Sequence, residues 1–199
     1  MPDRRESSTR KGLLPEMDTE LNAGEIHRLL DIEEIRALLA RYSHLCDART
    51  DTSFVREIFT QDATDDHGLF GKVFRGWAEL EDMYQRSSEF LETAAHFVTN
   101  EQIEVSGDTS TARSYVQCWT WLRESSHLGK LRPADYVLVG VYHDTLARTP
   151  DGWRISSRLL RPLGTGALGL GTPHPVYFAA YGEAPVGTAG TAGTAGSAR

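Results

Sequence analysis

The residue that points most directly to chemistry is a carboxylate at the end of a predicted amphipathic helix. Asp47 follows a run of apolar residues at helical spacing. The helix dipole places about half a negative charge at this end, which disfavours a carboxylate there by about 0.3–1 kcal/mol. A residue that is locally unfavourable in this way is typical of a functional site. A solvated aspartate that begins a loop is the alternative interpretation.

Three other polar residues could act together with Asp47. A carboxylate would fix the tautomer of His96 and raise its basicity, so that the imidazole could take a proton from a carbon next to a carbonyl or a leaving group. The Tyr42 phenol could hydrogen-bond a substrate oxygen, and Arg161 could hold an oxyanion. The alternatives are a structural histidine, a core tyrosine and an arginine at a solvated strand end. Such a site needs neither a metal nor an organic cofactor, so we expect none.

Two aromatic residues on predicted strands, Trp119 and Tyr142, are the candidate walls for a large apolar substrate. Trp119 shares a strand face with Tyr115 and Gln117, a pattern that is also typical of a core or a dimer face. An acidic segment offers oxygen and nitrogen ligands, but its spacing does not fit a calcium loop and no matching ligands occur elsewhere. We therefore predict no metal site. The residues of that segment are Asp62, Asp65, Asp66 and His67.

Helices dominate the first half of the chain. Asp31, followed by acidic residues, is typical of an N-cap and predicts a helix over residues 32–47. The apolar residues of 23–30 do not continue its apolar stripe and predict a separate short helix or a lead-in to the long helix. The remaining helices are predicted at 52–59 and 77–91, with a loop at 61–75.

Tyr42 and Asp47 do not share one face of the predicted helix. Five residues at about 100° each place them about 140° apart around the axis. Both can reach one pocket only if the helix ends near Asp47 and the chain turns there.

The second half of the chain has the period of two that is typical of strands. Strands are predicted at 97–105, 110–124, 134–148 and 153–161, with turns at 106–108 and 149–152. Helices followed by an antiparallel meander predict an α+β fold, in which a cone-shaped curved sheet packs on the N-terminal helices around a central pocket.

Both ends of the chain have compositions that are typical of unstructured segments. Residues 1–20 are polar and charged, and residues 186–199 form a Gly/Thr/Ala repeat that has almost nothing to bury. We predict one domain over 21–163. Residues 164–185 contain a glycine-rich stretch and an aromatic segment, which we interpret as a C-terminal extension that forms a lid or an interface.

Charge and cysteine content exclude several classes of protein. The net charge of −7 argues against nucleic-acid binding, which needs clustered Lys and Arg. Cys46 and Cys118 lie far apart outside any CxxC motif, which favours buried free thiols over a disulfide. No apolar run approaches the ~18 residues of a membrane span, and no signal peptide is visible. We therefore predict a cytoplasmic protein that does not bind membranes.

Six segments occur in a characteristic order along the chain. They are the helix 32–47, Gly76-Trp77, HFVTN at 96–100, GDTSTARSYV at 107–116, Gly140-x-Tyr142-x-Asp144, and DGWRISSR at 151–158. Together they resemble the nuclear transport factor 2-like superfamily, specifically its SnoaL-like branch, over about residues 26–162.

The resemblance implies roles for particular residues. The superfamily includes scytalone dehydratase, bile-acid 7α-dehydratase and hexachlorocyclohexane dehydrochlorinase. In that group an Asp on the first long helix orients a general-base His, and these positions match Asp47 and His96. A Tyr before the Asp matches Tyr42, and an Arg at the end of the final strand matches Arg161. For the second pocket histidine of scytalone dehydratase, the nearest candidate is His143.

The resemblance also implies an activity and an assembly. We expect a cofactor-independent lyase or isomerase of the dehydratase type, acting on a hydrophobic polycyclic or aromatic small molecule as a homodimer or homotrimer. A polyketide cyclase of natural-product biosynthesis is one alternative. A non-catalytic ligand-binding module or a dioxygenase β subunit is another, and a β subunit would co-purify with an iron-sulfur α subunit.

Overall fold

The computed structural model describes residues 22–48, 51–67 and 71–165. The predicted arm at 1–20, the tail at 186–199 and all but the first two residues of the extension at 164–185 lie outside these ranges. The elements are α1 (Ala23–Ala48), α2 (Phe54–Ile58), β1 (Phe59–Asp66), β2 (Val73–Arg75), α3 (Gly76–Phe90), β3 (Leu91–Ser106), β4 (Thr109–Leu122), a 3-10 helix (Arg123–Leu128), β5 (Tyr136–Thr149) and β6 (Gly152–Thr165).

The six strands form one curved, unclosed sheet in the order β2-β1-β6-β5-β4-β3. β1 runs parallel to β6, and every other neighbouring pair is antiparallel. The N-terminal helix α1 packs on β3 and β6, and α3 packs on β1. The predicted α+β class is confirmed. No helix in the described ranges has both the length and the apolar character needed to cross a bilayer.

Helix α1 is one continuous helix, so residues 23–30 are a lead-in to it and not the separate short helix that was the other alternative. Ile26, Leu29 and Leu30 are exposed, which is why they do not follow the buried stripe. The helix begins with a capping box, in which Asn22 Oδ1 accepts from the Glu25 backbone N–H at 3.0 Å and Glu25 Oε2 accepts from the Asn22 N–H at 2.9 Å.

Asp31 is therefore not an N-cap, and its carboxylate instead ties the middle of α1 to the sheet. It accepts hydrogen bonds from Trp153 Nε1 at 3.2 Å and from Arg148 Nη2 at 2.7 Å. Glu34, one turn further on, accepts from the backbone N–H of Trp153 at 3.1 Å. These contacts fix the position of α1 over the β5–β6 hairpin.

The predicted loop at 61–75 is wrong, because strands β1 and β2 occupy most of it. The sequence of β1 is polar, yet Ala63 and Asp65 are fully buried on alternate positions. The strand is held by parallel pairing with β6, a long-range contact that composition does not reveal. The short helix predicted at 52–59 is α2, which is preceded by Asp51 accepting the Ser53 N–H at 2.8 Å.

The meander of four long strands agrees with the sequence prediction but extends beyond it. β3 begins at Leu91, so His96 lies within a strand rather than at a helix-to-strand junction. The 3-10 helix replaces the end of the strand predicted at 110–124. Gly107 and Gly152 have φ of 59° and 96°, as the two predicted turns require.

The two faces of the sheet differ in burial. Along β4, Ala112, Ser114, Val116 and Thr120 are buried, whereas Arg113, Tyr115 and Gln117 are exposed. We call the buried side, which packs against α1, the inner face, and the other side the outer face. Because side chains alternate along a strand, a shift by one residue moves a side chain from one face to the other.

Gly140 permits the close approach of β5 and β6. A methyl group at this position would lie 2.6 Å from Leu160 Cδ1 and 3.0 Å from the Arg161 carbonyl oxygen. We expect Gly140→Ala to lower the free energy of unfolding by about 1–3 kcal/mol, as over-packing does elsewhere, in urea denaturation followed by circular dichroism. Val139→Ala, at the exposed neighbour, should change it by less than about 0.5 kcal/mol. Equal effects of the two substitutions would contradict this account of the packing.

Candidate active site

Asp47 and His96 are joined by two hydrogen bonds. His96 Nδ1 lies 2.6 Å from Asp47 Oδ1, and the His96 backbone N–H donates to Asp47 Oδ2 at 2.8 Å. The two side chains are only 9% and 22% exposed. Because an ionised carboxylate can only accept, Nδ1 carries the proton in this bond and Nε2 is the nitrogen left for other contacts.

The structure also resolves how Tyr42 and Asp47 reach one place from different sides of α1. Asp47 is the second-last residue of the helix, and no basic residue occurs in the last turn. Its carboxylate approaches the His96 ring from the helix end. The buried Tyr42 ring meets the same imidazole edge-on, with ring centroids 6.0 Å apart.

The surroundings of His96 shift its protonation. Burial favours the neutral imidazole and by itself lowers the pKa of His96. Negative charge on Cys118 and Cys46, together with the hydrogen bond to Asp47, outweighs burial and raises the pKa of His96 well above its ordinary value of 6.5.

Tyr42 and Tyr142 are buried near the imidazole, and Tyr84 is buried against Tyr42. The Tyr84 hydroxyl donates to the Tyr42 hydroxyl at 3.3 Å, and the Tyr42 and Tyr142 rings are 6.3 Å apart at near-perpendicular orientation. Burial raises the pKa of Tyr42 and of Tyr84 well above the ordinary range, and raises the pKa of Tyr142 to about 12. All three therefore remain neutral phenols that can donate hydrogen bonds.

Arg158 is the buried arginine of this region, and the sequence analysis missed it. Its guanidinium carbon lies 4.2 Å from the Tyr42 ring centroid and 4.0 Å from that of Tyr142. Its Nε and Nη2 donate to the two oxygens of Asp144, each at 2.8 Å. Burial would lower the pKa of Arg158, but the Asp144 carboxylate raises it, so the group stays charged. Nη1 is buried without a hydrogen-bond partner among the described residues.

The match to known proteins decides the family. Residues 27–159 match the family description SnoaL-like domain. The chain belongs to the SnoaL-like domain family. An uncharacterized protein of Mycobacterium tuberculosis is 28% identical to this SnoaL-like domain over 135 residues, which are 67% of this chain and 86% of that protein.

Solved structures share the nuclear transport factor 2-like fold of this SnoaL-like domain. The Kfla4162 protein of Kribbella flavida has a TM-score of 0.63 at 24% identity and covers 70% of this chain and 95% of its own. A candidate scytalone dehydratase from Novosphingobium aromaticivorans has 0.61 at 21%, covering 74% and 97%. A hexachlorocyclohexane dehydrochlorinase from Novosphingobium barchaimii has 0.61 at 19%, covering 76% and 99%. At these identities the likeness establishes the fold alone.

Of the six residues selected from the sequence of this SnoaL-like domain, four converge. Asp47, His96, Tyr42 and Tyr142 lie together at the inner face, whereas Arg161 and Trp119 do not join them. The side chain of Arg161 is exposed next to the buried Leu160, and β6 continues past it to Thr165. Trp119 lies on the outer face, where its Nε1 donates to Gln117 Oε1 at 3.4 Å.

Strand alternation also determines where His143 and the acidic residue Asp65 lie. His143 is exposed, since its neighbours Tyr142 and Asp144 take the inner face. It therefore does not supply a second pocket histidine. In the acidic segment, Asp65 is fully buried in β1 with its Oδ1 2.8 Å from His67 Nδ1.

A small cavity lies between the first three helices, and neither Asp47 nor His96 is among the residues that line it. It measures about 140 Å³ and is lined by residues of α1, α2 and α3, including Cys46, Phe54 and Tyr84. Donor atoms of Cys46, Asp47 and His96 lie within 4.8 Å of one another, close enough for a metal ion. Both Asp47 oxygens already accept hydrogen bonds from His96, so a metal would have to replace these bonds. We therefore assign the group to the dyad.

The buried Arg158–Asp144 pair can be tested by removing one partner. Arg158→Met leaves the Asp144 carboxylate buried without its counter-ion, so we expect the free energy of unfolding to fall by about 3–5 kcal/mol. The double variant with Asp144→Leu should recover most of this loss. Arg161→Met, the same substitution at the exposed arginine of β6, should change stability little. Urea denaturation of the wild type and the three variants measures these changes. Equal losses of stability in Arg158→Met and Arg161→Met would contradict a structural ion pair.

Proposed function

We propose that this protein is a cofactor-independent lyase or isomerase of the dehydratase type, in which His96 is the general base and Asp47 orients it. The observation that supports the proposal is the double hydrogen bond between these two residues at a nearly buried position. A carboxylate that holds both the backbone and the ring of a histidine fixes the imidazole and leaves Nε2 to face a substrate.

In the proposed elimination, His96 Nε2 takes the proton from the carbon next to a substrate carbonyl. The electron pair of that C–H bond moves towards the carbonyl oxygen, and the enolate that forms accepts hydrogen bonds from the neutral phenols of Tyr42 and Tyr142. The bond to the β-hydroxyl then breaks, the imidazolium returns its proton to the leaving oxygen, and water departs. Asp47 remains ionised throughout and stabilises the imidazolium.

The lining of the site favours an apolar, aromatic substrate. The Tyr42 and Tyr142 rings are buried near the imidazole of His96, and aromatic rings of this kind bind hydrophobic ring systems. Two relatives by fold, the candidate scytalone dehydratase and the hexachlorocyclohexane dehydrochlorinase, carry names of elimination enzymes.

Assembly and location belong to the same proposal. Phe97, Tyr115 and Val139 are exposed on neighbouring strands, and this apolar surface supports a homodimer or homotrimer. The two free cysteines suit a reducing cytoplasm.

Proton abstraction can be assayed before the natural substrate is known. In D₂O, we expect the wild-type protein to convert members of a panel of aromatic and polycyclic β-hydroxy ketones to enones, with α-deuterium exchange observed by NMR. Asp47→Asn and His96→Gln should each slow this turnover by about 10²–10⁴-fold. His143→Gln, the same substitution at an exposed histidine, should leave the rate unchanged.

Circular dichroism and melting should show that the variants remain folded. Full turnover in Asp47→Asn or His96→Gln would refute the mechanism. Binding of panel members without any turnover would favour the non-catalytic alternative.

The pH profile should report the histidine. The base must be neutral to act, and its pKa is raised above 6.5, so kcat/KM should be low in acid and should rise with pH through a midpoint above that value. Asp47→Asn removes one group that favours the imidazolium, so the midpoint of its residual activity should move down. A wild-type profile that is flat between pH 5 and 9, or a midpoint that moves up in Asp47→Asn, would contradict this assignment.

A further inference from the structure

A thiol lies directly across the strand pair from the dyad histidine. Cys118 on β4 is the antiparallel partner of His96 on β3, and residues that oppose each other in this way have their side chains on the same face, with Cβ atoms about 4.5–5.5 Å apart. The cross-strand pairing places the Cys118 thiol beside the His96 side chain, and the thiol lies 3.7 Å from Thr120 Oγ1.

The three side chains form a continuous chain in the order carboxylate, imidazole, thiol. Asp47 holds His96 Nδ1 at 2.6 Å, which leaves Nε2 as the ring nitrogen that is not bound to the carboxylate. A nucleophile, a base beside it and a third group that orients the base are the arrangement that activates serine and cysteine nucleophiles on unrelated folds.

The two cysteines of the chain differ in access. Cys118 is half-buried, whereas Cys46 is 6% exposed within α1. Both lie near the His96 ring, but only Cys118 is opposed to it across the sheet. Cys46 is therefore an internal reference thiol, because it lies near the same imidazole but is not its cross-strand partner.

We propose that Cys118 is a nucleophile, activated by His96, which Asp47 orients, and that it adds to soft carbon electrophiles of the α,β-unsaturated carbonyl class. The thiolate sulfur forms a bond to the β-carbon, and the alkene electron pair moves to the α-carbon and carbonyl oxygen. The His96 imidazolium then gives its proton to the α-carbon. The net change is the addition of S–H across the double bond, with no oxidant, reductant or metal, and the reverse steps release the electrophile.

The charges around the Cys118 sulfur also support its activation by His96. Burial raises the pKa of the Cys118 thiol, but the charge and the hydrogen bond of His96 outweigh it and place the pKa below the ordinary range. Asp47 opposes this shift. The other titratable groups near the pair are Cys46 and Tyr42 on α1 and Tyr136 and Tyr142 on β5, and burial keeps the three phenols neutral.

This inference uses the same hydrogen-bonded dyad as the proposed dehydratase but does not depend on the elimination. The enone that dehydration of a β-hydroxy ketone releases belongs to the electrophile class named here, so a substrate-derived product would form close to the sulfur. Thiol reactivity is measured without substrate, which separates a failure of this proposal from a failure of the elimination.

The experiment is alkylation of the native protein with iodoacetamide and with N-ethylmaleimide, followed by peptide mass spectrometry between pH 5 and 9 in the presence of EDTA. We expect Cys118 to react first and to remain reactive at pH 6. Each unit by which a thiol pKa is lowered increases the thiolate fraction at acid pH tenfold and lowers its nucleophilicity about threefold. At pH 6 the native thiol should therefore react about threefold faster than the same thiol in urea-denatured protein for each unit by which its pKa is lowered.

Variants locate the cause of this reactivity. Cys118→Ser should abolish the fast modification, and Cys46→Ser, the same substitution at the reference thiol, should retain it. His96→Gln removes the group that lowers the pKa of Cys118 and leaves burial, which raises it, so the pH 6 rate should fall to that of the denatured chain or below. Asp47→Asn should also change how the rate of Cys118 alkylation depends on pH. It is the second variant to measure if His96→Gln does not fold. Three results would each overturn the proposal. In the first, native Cys118 reacts no faster at pH 6 than denatured Cys118. In the second, Cys46 reacts first, and in the third, folded His96→Gln keeps the reactivity of the wild type.

Discussion

The contact between the Asp47 carboxylate and His96 is the interaction on which the rest of the site depends. Asp47 lies at the negative end of α1 without a basic residue in the last turn, which costs about 0.3–1 kcal/mol. Two hydrogen bonds to a charged acceptor, each contributing about 1.5–3 kcal/mol, exceed that cost. One of them comes from the backbone of β3, so the same carboxylate fastens the end of the first helix to the sheet. The position that is unfavourable for an isolated helix is thus favourable in the folded domain.

This contact also determines what protons can do at the site. With Nδ1 committed to Asp47, the proposed nucleophile shares a single proton between the Cys118 sulfur and His96 Nε2. When the proton is on sulfur, the imidazole is neutral and can act as a general base. When it is on nitrogen, the pair is a thiolate and an imidazolium. The raised pKa of His96 and the lowered pKa of Cys118 both favour the second form. The proposed base and the proposed nucleophile are therefore two protonation states of one hydrogen-bonded unit.

The sequence predicts the dyad and the fold class better than it predicts the facing of individual strand residues. Local patterns identified α3 and the long meander, and motif order brought Asp47 and His96 together. Strand β1 was missed because long-range pairing with β6, rather than apolar content, holds it. Arg161 was chosen by its position near the end of the last predicted strand, but alternation places Leu160 inside and Arg161 outside. Trp119 lies on the outer face for the same reason, because the adjacent Cys118 takes the inner one.

Arg158 was hidden from the sequence by a single β-bulge. Counting back from the turn at 149–152 pairs Leu146 with Ile155 and would pair Asp144 with Ser157. An irregularity between Thr145 and Leu146 shifts the register by one residue, and Asp144 instead opposes Arg158. The shift creates a bidentate ion pair with both side chains fully buried. Such pairs seldom stabilise a fold more than apolar residues of similar volume would. Arg158 also has a buried Nη1 without a partner among the described residues, beside the tyrosines that contact the dyad. A charge that Asp144 holds in place, with one donor unused, is poorly explained by stability alone.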